Sequence, residues 1–412
     1  MKKHLLLSLI LLSVAFTAKI SAQNTWSSIA SFGGGERERA VAFVIGNRAY
    51  VGTGIDSANV CKSDLWEYDP GTNSWTQKAN VPGSGRRDAI AFAIGNRGYV
   101  GTGLNGILAW AGTKRKDFYE YNPVTNTWTT KDEWEGNFGG GVYFASAFSV
   151  NDKGFLVCGK FGPSYYSNEL WQYDPVTNDW SKKANVPGGT RYGVTAFAMN
   201  GKGYVGCGAD ENYYVNSFYE YNPNTDVWTE RAPFPGSPRF NAVGLAINGR
   251  GFIGLGTDGG YQKDFYEYDP VSDHWMQKAS IPGAERRSCV AFTIDGYGYV
   301  GTGKGVDGVK RSMYKYKPYF LFANENIGEK IAAEVYPNPV QQNANITVKN
   351  IENADLELTV FNANGNAVAH QKIQGNTFNF NRGILPDGIY VYEITVTNNT
   401  EKNYLSGKIF LQ

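Results

Sequence analysis

The side chains able to do chemistry in this sequence are few. Histidine occurs three times, at His4, His274 and His370, and cysteine four times, at Cys61, Cys158, Cys207 and Cys289. None of these stands at a spacing that holds zinc, so no metal, no cofactor and no catalytic residue is expected. Arginine is different. At one register of a repeating unit it recurs as Arg37, Arg86, Arg191, Arg239 and Arg286, while the remaining copy places Val142 and then Tyr143 there. A guanidinium fork suits an acidic ligand group and suits equally well the carbonyls of neighbouring segments, and the residues alone leave both roles open. Aromatic rings fall in the loops of the same pattern: Trp110, Trp134, Phe138, Tyr165, Tyr166, Tyr213, Tyr214, Phe234 and Tyr261. Flat rings beside charged donors serve a glycan by stacking or an extended peptide by hydrogen bonding. The expected ligand-binding set is the five arginines with Tyr143, Trp110, Tyr165, Tyr213 and Tyr261. Proton transfer, without histidine, would fall to carboxylates, of which Glu36, Glu38, Asp88, Asp210, Glu211, Asp258 and Glu285 lie near these loops and none is singled out by spacing.

The elements that must position these groups are copies of one unit. A glycine or alanine, an aromatic and two aliphatic or small residues recur at 49–52, 98–101, 154–157, 203–206, 251–254 and 298–301. Downstream a tyrosine precedes a tryptophan by seven positions in five copies: Tyr68 and Trp75, Tyr121 and Trp128, Tyr173 and Trp180, Tyr221 and Trp228, Tyr268 and Trp275. The sixth copy has Tyr316 and no following tryptophan, but Trp26 stands unclaimed ahead of the first. A period of roughly 50 residues built from short strands is the signature of propeller blades. Each copy divides into four strands, in the second at 88–94, 97–102, 118–122 and 127–130, joined by tight turns. The last copy supplies only three, so residues 25–29 are expected to complete it and close the ring of six. Strand direction then puts the long loops on one face, where Leu104 to Lys116 and Lys131 to Gly141 are the largest variations.

These features resemble the Kelch family: a glycine-rich strand end followed by Tyr and Trp at fixed spacing. The resemblance implies an all-β fold, a six-bladed Kelch-type β-propeller, with strand-one arginines turned toward acidic ligand groups. Some relatives of that fold are copper oxidases of the galactose oxidase type, which need two histidines that the repeats here do not supply. Others are sugar-modifying enzymes of the sialic acid mutarotase kind, which is the alternative to a binding module. Cys158 and Cys207 share the register of Thr53 and Thr102, which suggests small buried residues; disulfide pairing is left open.

The two ends of the chain carry different signals. Residues 1–22 open with Lys2 and Lys3, continue in an apolar run of about a dozen residues and end in small ones, as a secretory signal peptide does. The run is too short to span a bilayer, and no transmembrane segment is expected after its removal. Residues 23–320 form the repeat region and 321–333 a linker. Residues 334–412 form a small β-sandwich, with strands expected at 345–348, 356–361, 377–380, 389–396 and 405–411. This segment resembles the type A C-terminal sorting domain of the type IX secretion system of Bacteroidetes, on Tyr336 to Pro339, Val360 to Gly365, Leu385 to Tyr390 and Gly407 to Leu411. The resemblance implies the type IX machinery as a partner and a secreted or outer-surface location. With 39 basic against 38 acidic residues and a net charge of +1, no nucleic-acid partner is expected.

Overall fold

The computed structural model describes residues 24–106, 112–136, 140–318, 332–349, 351, 355–362, 367–398 and 401–412. The expected signal peptide, Trp110, Phe138 and most of the expected linker lie outside the described residues. The chain divides into two compact units, Met1–Pro318 and Tyr319–Gln412. Among the described residues there is no helix, and every strand pairing within a sheet is antiparallel.

Six four-stranded sheets, A to F in chain order, build the first unit. Sheet A comprises Val41–Ile45, Arg48–Gly52, Leu65–Asp69 and Ser74–Lys78, and sheet B Ile90–Ile94, Arg97–Gly101, Phe118–Asn122 and Thr127–Lys131. Sheet C, with Ser146–Val150, Lys153–Gly162, Tyr165–Asp174 and Asp179–Lys183, has a central hairpin of two ten-residue strands where the other sheets have five-residue ones. Sheets D and E begin with Thr195–Met199 and Val243–Ile247. Sheet F takes Val290–Ile294, Tyr297–Gly301 and Met313–Lys317 from the end of the unit and Thr25–Ile29 from its beginning. Trp26 lies opposite Tyr316 in that pairing, so the unclaimed tryptophan fills the place the last repeat lacks.

Repetition in the sequence becomes repetition in the contacts between sheets. Each outer-strand indole N–H donates to a carbonyl at the end of the preceding sheet: Trp75 to Ala30, Trp128 to Ala79, Trp180 to Asp132, Trp228 to Ala184, Trp275 to Ala232 and Trp26 to Ala279. Five of these indoles are half-buried and Trp275 is buried, and with the N–H satisfied each contributes its covered apolar area at no polar cost. Glycine at the start of the second strand answers a different demand. A Cβ on Gly98 would lie 2.1 Å from the Phe43 ring of the neighbouring sheet, so only hydrogen fits where the sheets approach.

The second unit holds a three-stranded sheet of Ala332–Tyr336, Asn343–Lys349 and Thr377–Asn381 and a four-stranded sheet ordered Ala367–Gln374, Asp355–Phe361, Gly388–Asn398, Glu401–Leu411. Ile346, Val348 and Phe378 of the first share one apolar core with Leu356, Leu358, Val360, Ile394 and Ile409 of the second. Two of these strands were not expected. Ala332–Tyr336 begins inside the expected linker, and Ala367–Gln374 is an edge strand whose polar sequence disguises its alternation.

Candidate functional site

The recurring arginines act inside the sheets. Arg86 grips both carboxylate oxygens of Asp117 at 2.6 and 2.8 Å and also donates to the carbonyls of Thr102 and Pro82. Arg37 does the same with Asp64 and Thr53, and Arg239 with Asp264 and Leu255. Arg191 and Arg286 meet Ser217 and Ser312 instead, at 2.8 and 2.9 Å. All five side chains are buried. They correct the expected ligand-facing ring: each fork is spent tying the loop that enters the first strand to the loop that leaves the second. Where Val142 replaces the arginine in sheet C, Glu169 takes the acidic position and pairs with Lys182 at 2.7 Å.

Two circles of backbone hydrogen bonds run beside these ties. In the first, the N–H of Gly54, Gly103, Gly159, Gly208, Gly256 and Gly303 donates to the carbonyl of Arg86, Val142, Arg191, Arg239, Arg286 and Arg37 in turn. In the second, Arg39 donates to Ser288, Ser288 to Asn241, Asn241 to Gly193, Gly193 to Phe144, Phe144 to Asp88, and Asp88 back to Arg39. Every residue of the second circle has a φ between 52 and 60°. That left-handed conformation turns successive N–H and C=O groups sideways to neighbouring sheets, and it is costly for a residue as bulky as Phe144. The inner circle therefore marks the centre of the ring and carries backbone strain there.

Residues that differ between copies gather at this centre. One position before the inner circle stand Glu38, Arg87, Tyr143, Tyr192, Phe240 and Arg287, each bridged to the loop after the second strand: to Ile55, Leu104, Lys160, Ala209, Thr257 and Lys304. The result is two unlike arcs. Sheets A, B and F contribute charge: Arg39 faces Asp88 at 3.3 Å and Glu38 at 3.5 Å, Arg87 pairs with Asp88, and Lys304 lies 3.9 Å from Glu38. Sheets C, D and E contribute rings. Phe144 meets Tyr192 at 5.7 Å, Tyr192 meets Phe240 at 5.6 Å, Tyr166 stacks on Tyr192 at 5.3 Å and Tyr214 on Phe240 at 5.3 Å. Arg39 over the Phe144 ring at 4.9 Å joins the arcs.

Charge balance at the centre is unequal. Five cations, Arg39, Arg87, Arg287, Lys160 and Lys304, share the centre with two ion-paired carboxylates, Glu38 and Asp88, while Asp210 and Glu211 lie nearer the border beside Tyr166. Lys160 and Arg287 have no acidic partner among the described residues. The Lys160 ammonium sits over the rings of Tyr192 and Tyr166, at 4.3 and 4.8 Å, and burial holds its amine below the usual lysine range. Arg287 lies over Tyr261 at 5.6 Å, and its buried Nε has no hydrogen-bond partner, as is true of Asn241 Nδ2 and Ser288 Oγ nearby on the inner circle. Burial lifts the Asp88 carboxyl above its usual range, against the opposing pull of Arg39 and Arg87.

The other expected residues fall outside this centre or on its border. Tyr143 is fully buried with its hydroxyl on the Gly162 carbonyl, so it packs and does not present a face. Trp134 and Phe234 are likewise core residues. Tyr165 and Tyr213 are exposed loop-tip residues, 67% and 72% accessible, and Tyr261 belongs to the site through Arg287. Of the seven loop carboxylates Glu38 and Asp88 reach the centre as ion-pair partners, Asp210 caps its own turn and with Glu211 lies close enough to the aromatic arc to act on Tyr166, and Glu285 faces Lys263. All four cysteines are free thiols. Cys158 and Cys207 are buried at the register of Thr53 and Thr102, and burial pushes both up to about 12. Among the described residues no group of three or more His, Cys, Asp and Glu side chains converges as metal donors would. A cleft of about 480 Å³ on the rim, between Ser31, Glu36, Ser57 and 307–312, is open to solvent, contains no aromatic ring and has its Lys310 already paired with Asp307.

Comparison with known proteins adds two findings. Residues 334–406 match the family model described as a secretion system C-terminal sorting domain. That match marks the protein as one exported by the type IX system to the cell surface or extracellular space. Among solved structures, the one titled "Structure of YjhT" matches with a TM-score of 0.59 and 16% identity, covering 78% of this chain and 99% of that one. The likeness extends to a propeller-like, all-β fold. No curated protein matches the sequence.

Proposed function

We propose that this protein is an exported six-bladed Kelch-type β-propeller that binds carbohydrate bearing an acidic group at the centre of its loop face. A signal peptide over 1–22, a linker that ends before the strand Ala332–Tyr336 and a sandwich-like sorting domain complete the scheme. The observation that carries the proposal is the pairing of an aromatic arc with Lys160 and Arg287, two cations without acidic partners among the described residues. Rings supply stacking area for a sugar face, and the free cations supply the counter-charge. The test is a glycan array probed with the secreted protein beside a variant carrying Lys160→Met and Arg287→Gln. Selective binding of acidic glycans that the variant loses supports the proposal. Binding confined to acidic peptides, or unchanged in the variant, overturns it.

A second reading is favoured by one observation, the buried carboxyl of Asp88 with its raised pKa. A buried carboxyl whose pKa is raised, at the centre of a sugar site, could transfer a proton, making the protein a sugar-modifying enzyme. The two readings share the site and differ in turnover.

A further inference from the structure

The register that holds Tyr166 contains Cys61, Lys114, Tyr166, Tyr214, Tyr261 and Val309 in successive sheets, because each pairs with the residue that bridges to the centre. Tyrosine therefore occupies three consecutive places, in sheets C, D and E. Each of these rings lies against the central residue of the next sheet: Tyr166 on Tyr192, Tyr214 on Phe240 and Tyr261 under Arg287. A stepped row results, one aromatic step per sheet. Tyr214 is 38% exposed and Tyr166 and Tyr261 are half-buried, so the rings are held by packing while part of each remains open. The unpartnered cations stand at opposite ends of this row, Lys160 beside Tyr166 and Arg287 beside Tyr261. A single acidic sugar can neutralise one of them; a chain with acidic groups on more than one sugar can neutralise both while stacking between.

We propose that Tyr166, Tyr214 and Tyr261 form a platform for an acidic oligosaccharide that lies along the arc, with its carboxylates directed to Lys160 at one end and Arg287 at the other. This rests on the carbohydrate-binding proposal and adds that the ligand is a polyanionic chain, recognised over several sugars. Polar rim residues have little part in it; rigid rings on a closed scaffold lose little entropy when a ligand stacks on them.

The test is isothermal titration of the full secreted protein with galacturonic acid and with its linear oligomers of increasing length. Affinity is expected to rise with length until both cations are engaged and then to level off. Tyr214→Ala, at the middle step, is expected to weaken the longer oligomers about three- to tenfold more than the monomer, while Tyr214→Phe keeps the wild-type length dependence. Thermal melting establishes that both variants fold. Equal affinity for monomer and oligomers, or equal loss for both in Tyr214→Ala, overturns the platform and leaves the single-sugar site standing. A wild-type protein that binds neither overturns both proposals. Equal binding of a polyglutamate peptide of matching charge also overturns the platform, since no sugar stacking would then be needed.

Discussion

The backbone N–H of Arg39 donates to the carbonyl oxygen of Ser288 at 3.0 Å, joining the entrance of sheet A to that of sheet F. This bond closes a circle in which five others run from sheet to sheet, and the pairing of Thr25–Ile29 with Met313–Lys317 closes the outside of the same seam. Without the N-terminal strand, sheet F would expose an unpaired edge, and the seam would be held from the inside alone.

Deleting residues 24–31 removes that strand together with Trp26, whose indole donates to Ala279 at 2.8 Å and packs on Tyr316 and Phe265. Trp26 is half-buried, so its loss costs less than the roughly 3–5 kcal/mol of a fully buried tryptophan, and the lost ladder adds to it. The deletion variant is expected to melt well below the full-length protein in a calorimetric scan. Melting at the same temperature would show that the strand closes nothing.

Arg86→Ala separates scaffolding from ligand binding. The substitution leaves Asp117 beside a buried, unfilled site and strands the Thr102 and Pro82 carbonyls, and removing one member of such a pair costs about 3–5 kcal/mol. Denaturant titration should find the loss in stability, with ligand affinity per folded molecule retained. Arg86→Lys should recover little, because an ammonium cannot grip both oxygens of Asp117. A stable variant with binding abolished would return the arginine to the ligand site.

The recurrence of arginine was plain in the sequence, yet its role was not. In a protein built from copies, a side chain present in nearly every copy serves what every copy needs, which is the tie between strands. A ligand has no sixfold symmetry, so its site must break the repeat. Glu38, Arg87, Tyr143, Tyr192, Phe240 and Arg287 follow the arginine register and share no common chemistry, and that disagreement was the available signal. Strand order, the closing role of Trp26 and the buried cysteines followed from pattern because packing enforces them. The ten-residue hairpin of sheet C did not, since its Gly-Pro-Ser tip reads as a loop and the bulges before it shift the alternation.

Lys160 makes the site sensitive to alkaline pH. Its folded-state pKa lies below that of the unfolded chain, so the unfolded state binds more protons between the two values and stability rises with pH across that window. An anionic ligand needs the charged amine and should raise its pKa on binding. Affinity for an acidic sugar is thus expected to fall on moving to alkaline pH sooner than an ordinary lysine would allow. Lys160→Arg should move that fall to higher pH. Titrations across the range check both, and an unchanged profile in the variant would remove Lys160 from the site.

Asp88→Asn distinguishes binding from catalysis. The amide keeps the shape and removes the proton that a carboxyl could exchange, although it weakens the contacts with Arg39 and Arg87. If the protein interconverts sugar forms, the variant should lose turnover by about a hundredfold or more while still binding. Proton-exchange NMR on any sugar the protein binds would detect the difference. Absence of turnover in the wild type would leave Asp88 as the counter-charge that holds two arginines in place.

Export rests on the second unit, and its last strand is the point of greatest leverage. Ile409 and Leu411 enter the core shared by the two sheets, and Val340 is held to the same strand through the Phe410 carbonyl and the Gln412 N–H. Removing residues 405–412 therefore opens the core and frees the 337–341 segment at once. The first unit has its own closed hydrogen-bond circles and apolar clusters and should fold without that strand. The expected outcome is a folded, ligand-binding protein that fails to reach the cell surface or medium, measured by fractionation and by protease access on intact cells. Normal surface delivery of the truncated chain would mean that the sorting signal does not need the folded sheet, and that the match over 334–406 acts through a shorter stretch.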